Sequence, residues 1–214
     1  MYFAYVTKGG PMRTIGFILI ILTLSLELVS CATPYKAGQI HVRPIDEYTI
    51  RTKVEGISCA ADPYDTAEKA KQAFYEDITS ERFYAIHLIF SNETGDRVMI
   101  LRDSIEMVDS VGNTYRSVRA NVMSDTYKHN IMTYYLVYGL LSRMPDVADE
   151  ANKKRAADWS GKEIPDEIII PPRQKTDGFV YFQLPKGKVP KGCTLKFEAE
   201  QLESRKIVPI ELKL

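Results

Sequence analysis

The residues whose order most directly spells a reaction are Leu28-Val29-Ser30-Cys31, at the end of an apolar run from Ile15 to Leu26. The quartet reads as a bacterial lipobox, the small-residue site that a dedicated peptidase cuts in front of a lipid-modified cysteine. Arg13 supplies the positive start. The apolar core is shorter than the roughly 18–20 apolar residues a spanning helix requires. On this reading residues 1–30 are a signal peptide, and Cys31 becomes the acylated first residue, carrying chains such as palmitate. Glu27 inside the apolar stretch favours the competing reading, an uncleaved N-terminal anchor with an incidental cysteine. Ala32, standing where an aspartate would follow the cysteine, points to the outer membrane, with the protein facing the periplasm.

Two further thiols, Cys59 and Cys193, remain in the exported chain. In an oxidising compartment they can pair, closing a long loop worth about 3–5 kcal/mol on a chain-entropy basis. The alternative is two separate buried thiols acting as small apolar residues. His41, His87 and His129 are scattered, and no Cys-x-x-Cys or His-x-x-x-His spacing occurs, so the pattern asks for no metal and no cofactor. Asp62, Asp65 and Glu68 gather carboxylates where a helix is expected to begin, and capping by Asp65 explains them more simply than a cation site. His87 alternates with Ala85 and Ile89 on one strand face and reads as a packed core histidine rather than a general base. A nucleophile elbow, a zinc-binding His-Glu-x-x-His helix and a phosphate-cradling glycine loop are all missing from the sequence. The expectation is a protein that is not an enzyme.

Removing the first 30 of 214 residues takes away Lys8, Arg13 and Glu27, so 28 basic and 28 acidic groups become 26 and 27. That balance gives no drive toward nucleic acid or an anionic bilayer, and leaves the lipid as the membrane attachment. Hydrophobic residues make up 45% of the chain, enough for one domain with a real core.

The elements that must hold these residues are mostly strands. Residues 31–39 read as a polar tether, and residues 40–214 as a single domain. Strand patterns run through Tyr48 to Ile57, Phe83 to Phe90, Arg97 to Leu101, Ser104 to Val108 and Thr114 to Val118. Four more follow at Glu167–Ile170, Gly178–Leu184, Thr194–Ala199 and Lys206–Leu214. Phe83 to Phe90 is apolar on both faces. One short helix is expected after the first strands, with Ala67, Ala70, Phe74 and Ile78 as its apolar stripe. A two-helix insertion, about 125–160, interrupts the strand pattern and reads as separable. Its first helix, capped by Ser124 or Asp125, is expected to run to about Met144. Its second buries Ala148, Ala151 and Trp159, with the stem of Arg155 on that face and its charge in water.

The blocks at 60–74 (AADPYDTAEKAKQAF), 83–100 (FYAIHLIFSNETGDRVMI), 104–115 (SIEMVDSVGNTY) and 171–187 (PPRQKTDGFVYFQLPKG) carry a resemblance. The chain resembles a group of functionally uncharacterised bacterial lipoproteins with an Ig-like domain. The resemblance implies an antiparallel Ig-like β-sandwich that binds or scaffolds, and it carries over no catalytic residue.

Ile131 to Leu141 is apolar on every face, so its helix must be covered all round or meet a partner. Tyr134, Tyr135, Leu136, Tyr138 and Leu141 form the candidate interaction surface, mixing large apolar area with phenol hydroxyls. The sequence therefore predicts a membrane-tethered envelope lipoprotein that binds another envelope protein. Its alternatives are membrane contact or lipid handling through 131–141, and an envelope hydrolase with a site built from distant residues.

Overall fold

The computed structural model describes residues 35–128 and 144–214. Ten strands are present: β1 (Ile50–Val54), β2 (Ile57–Tyr64), β3 (Phe83–Asn92), β4 (Val98–Leu101), β5 (Glu106–Val108), β6 (Thr114–Val118), β7 (Glu167–Ile170), β8 (Lys175–Gln183), β9 (Thr194–Gln201) and β10 (Lys206–Lys213). Among the described residues three α-helices accompany them, α1 (Ala67–Phe74), α2 (Ala120–Thr126) and α3 (Met144–Lys162). The ladders between named strands are all antiparallel.

Sheet A has the order β1-β2-β3-β8-β6. Sheet B continues from β6 through β5, β9, β4 and β7, with β10 on the other side of β9. β6 thus belongs to both sheets, pairing Glu106–Arg116 with β5 and Ser117–Phe182 with β8. The fold is a mainly antiparallel, sandwich-like β architecture. Alternate residues of β3 (Tyr84, Ile86, Leu88 and Phe90) point into the space between the sheets. They meet Val98, Ile100, Leu195, Phe197, Val208 and Ile210 from sheet B.

The other face of sheet A is equally apolar, because all ten residues of β3 are buried. Phe83 and Ala85 on β3, with Phe179 and Tyr181 on β8, form a second core with Phe74 of α1, Met123 of α2 and Trp159 of α3. The molecule is therefore three layers deep: sheet B, sheet A and helices. This placement corrects the expected separable insertion. Trp159 is fully buried, and Tyr181 donates its hydroxyl to the Trp159 carbonyl at 2.9 Å, satisfying an end-of-helix acceptor. The helices are the lid that an apolar second sheet face requires.

Local details also differ from expectation. Asp62-Pro63-Tyr64 belongs to β2 rather than to a helix start. Pro63 is tolerated because the pairing of β1 with β2 ends at Ile50–Ala61, leaving no neighbour there to receive an N–H. Thr66, not Asp65, caps α1 by accepting from the Lys69 amide. Ser124 and Asp125, expected as caps, lie inside α2, which begins at Ala120; most of the helix expected to run toward Met144 falls on residues 129–143, outside the described residues. β1 and β2 are joined by Glu55-Gly56, both at positive φ, the two-residue turn that matches strand twist.

Candidate functional site

Trp159 and Asp158 meet Tyr35, the first of the described residues. Tyr35 donates its hydroxyl to Asp158 at 2.6 Å and accepts from the Trp159 indole N–H at 2.9 Å. Burial first, and then the Asp158 carboxylate, push the Tyr35 hydroxyl far above its ordinary range, so it stays a neutral donor. Its ring stands edge-on to Tyr75 at 5.8 Å. Three residues further on, a Cβ at Gly38 would lie 2.2 Å from the Gln72 carbonyl oxygen, so the backbone is pressed directly against α1. The segment expected as a free tether over 31–39 is thus fixed to the helical layer from Tyr35 onward. Polar composition hid this, because a single aromatic among polar residues has no periodicity.

The second core is bound together by buried charge. Arg155, 2% exposed, donates to Glu76 and to the Tyr127 carbonyl, both at 2.7 Å. Its charge is paired inside the protein, not left in water as the sequence predicted. Lys162 reaches Asp158 and the Ala73 carbonyl at 2.6 Å each. On the side of sheet B, Arg102 donates to Glu163 at 2.9 Å.

His87 lies on the outer face of sheet A and is 1% exposed. Its Nε2 is 2.7 Å from Asp177 Oδ2, and its ring stacks on Phe179 at 4.7 Å. Nδ1 is buried without a hydrogen-bond partner among the described residues. That geometry assigns the ring hydrogen to Nε2, donating to the carboxylate. Neighbouring Asp62 pairs with Lys69 at 2.5 Å, and Lys69 sits 4.8 Å above the Tyr64 ring. Burial, aided by Asp62, pushes the Tyr64 hydroxyl up to about 12.

The thiols are equally restrained. Cys59 and Cys193 are both free and buried, so the pairing left open by the sequence is not formed. Cys59 faces the Ala60 carbonyl at 3.8 Å and Cys193 the Val189 carbonyl at 3.6 Å. Burial raises both thiols' pKa, for Cys193 with help from Asp109, which keeps them protonated and unreactive.

Among the described residues one open cleft of about 380 Å³ is bordered by Ile45, Arg51, Lys53, Ser58 and Glu93, and three smaller ones also indent the surface. The first, about 300 Å³, is bordered by Arg43, Tyr48, Asp62, Lys69 and Lys191. A second, about 210 Å³, lies beside Tyr115, Lys188 and Cys193. The third, about 150 Å³, lies beside Tyr35, Val147, Ala151 and Lys154. Among the described residues no group of three or more His, Cys, Asp or Glu is arranged for a metal ion, and no helix is long and apolar enough to cross a membrane. Cys31, His129, and Tyr134, Tyr135, Leu136, Tyr138 and Leu141 lie outside the described residues.

No protein-family model and no curated protein matches the chain. Among solved structures, the chain is similar to the yjhA protein from Bacillus subtilis, with a TM-score of 0.39 and 10% identity over 78% of this chain and 97% of that one.

Proposed function

We propose that the chain is a lipid-anchored lipoprotein of the bacterial cell envelope, attached through Cys31 to the outer membrane and facing the periplasm. Its Ig-like sandwich acts as a non-enzymatic protein-binding or scaffolding module. The observation that carries this reading is the lipobox at Leu28–Cys31, with Tyr35, four positions later, already buried in the fold. The non-enzymatic half is supported by His87, whose only bonded nitrogen is engaged by Asp177 and whose ring is covered, and by two thiols held protonated. A hydrolase would need a nucleophile and base reachable by substrate.

The outer face of sheet B, away from the helical layer, presents Met99, Leu101 and Ile169 side by side on β4 and β7; Leu101 and Ile169 are about half exposed. This is the face assigned to the partner. Cys31→Ser should shift the protein out of the membrane fraction or leave an unprocessed precursor; unchanged fractionation and migration overturn the anchor. In crosslinked envelopes, Leu101→Glu combined with Ile169→Glu should lose a partner that the parent chain captures, with folding intact. Undiminished capture by the folded double variant removes this face from the proposal.

A further inference from the structure

A lipid at Cys31 and a fixed Tyr35 together determine how the domain sits. Only Ala32, Thr33 and Pro34 separate the two residues. Fully extended, that stretch reaches at most about 14 Å from one Cα to the other. The polar headgroup layer is itself about 5–8 Å thick on each side of the bilayer. A domain of this size is about 40 Å across. The reach is therefore well under one domain diameter, too short for the molecule to turn over above its anchor.

Tyr35 is not a swivel. Its hydroxyl is engaged by both Asp158 and Trp159, and the close approach of Gly38 to α1 holds the following backbone. From this we infer that the helical layer around Tyr35, formed by the C-terminal end of α1 and the first two turns of α3, rests on the phospholipid headgroups, while sheet B faces away from the membrane. The inference depends on the lipid anchor proposed above. The chemistry of that corner suits headgroups. Lys36, Lys71 and Tyr75 are exposed, and the small cleft beside Tyr35 is bordered by the Lys154–Glu150 ion pair, a mixed-charge rim that matches zwitterionic headgroups. Lysine stems and tyrosine rings can lie against acyl-chain ends while their polar tips meet phosphate. The outer face of sheet B, with Leu101 and Ile169, is thereby left free for a partner in the periplasm.

The test uses the full-length lipidated chain in vesicles of phosphatidylethanolamine and phosphatidylglycerol. A photocrosslinking residue replaces Tyr75 in one sample and Ile207, which points outward from β10, in another. Flotation and the yield of phospholipid-linked protein are measured for each. The expected result is equal flotation and a severalfold higher lipid yield from position 75. A Gly/Ser insert of roughly 20 residues between Pro34 and Tyr35 should keep flotation and abolish the difference between the two positions. Equal yields in the parent chain with flotation intact overturn the orientation and leave the anchor standing. Flotation of Cys31→Ser as strong as the parent's overturns the anchor, and the orientation with it.

Discussion

Arg102 and Glu163 are 61 positions apart and form a buried ion pair at 2.9 Å, their side chains 4% and 11% exposed. The arginine sits in the 3-10 turn Arg102–Ser104 after β4, and the glutamate follows the end of α3. The pair therefore links sheet B to the helical layer around the edge of sheet A. Removing one partner strands the other charge. Arg102→Ala should lower stability by about 3–5 kcal/mol in urea unfolding, whereas replacing both residues with apolar ones of similar volume should recover most of the loss. A single variant within experimental error of the parent would show that solvent already satisfies Glu163.

Trp159 is the largest side chain of the second core and has T-shaped contacts with Phe74 and Tyr127. Trp159→Ala should cost about 3–5 kcal/mol. The loss should appear as one earlier, still cooperative transition followed by backbone circular dichroism, because sheet A belongs to both cores. Replacing residues 125–160 with a linker should be more damaging still. A variant in which the sandwich unfolds at the parent's midpoint would show that the two cores are energetically independent.

Asp109 supplies the pH dependence. Its carboxylate accepts from the amides of Val111 and Asn113, the Asn113 side chain, the Tyr115 hydroxyl and Lys188. These bonds, led by the Asn113 side chain, hold its pKa well below the ordinary 3.8. The folded-state value lies below the unfolded one, so the stabilisation is complete above the unfolded value and is lost as pH falls toward the folded one. The thermal midpoint, followed from about pH 6 to about pH 2, should fall less steeply for Asp109→Asn than for the parent. Parallel curves would sink the assignment.

The same carboxylate shows what a sequence makes visible. Asp109-Ser-Val-Gly-Asn-Thr-Tyr115 is recognisable as a turn because every partner but Lys188 lies within six residues, and local hydrogen bonding fixes its spacing. Strands β3, β6, β7 and β10 were legible for a related reason, since alternation or apolar runs report burial directly. Asp177 gave no such sign, although it is the side-chain hydrogen-bond partner of the His87 ring, because it stands 90 positions away. Tyr35 was equally silent, its partner Trp159 lying 124 positions on. The start of α2 at Ala120 left no local sign, because Ser124 and Asp125 look like caps although they lie inside the helix. The burial of Arg155 was missed because pairing with Glu76 is a tertiary fact, invisible in a helical pattern.

The register of sheet A has a consequence for how the chain is made. β3 pairs β8 from Phe83–Gln183 to Ser91–Lys175, so the central ladder joins segments separated by most of the domain. Among the described residues β8 is the strand that joins β3 to β6 and hence to sheet B. Until Gln183 has been synthesised, both faces of β3 lack their strand partner on that side, and neither core can close. Non-local pairing of this kind delays folding. A precursor emerging from the ribosome would then keep both cores open for much of its synthesis, which is the condition that the export proposed above requires if the polypeptide is to be threaded through a narrow translocation pore.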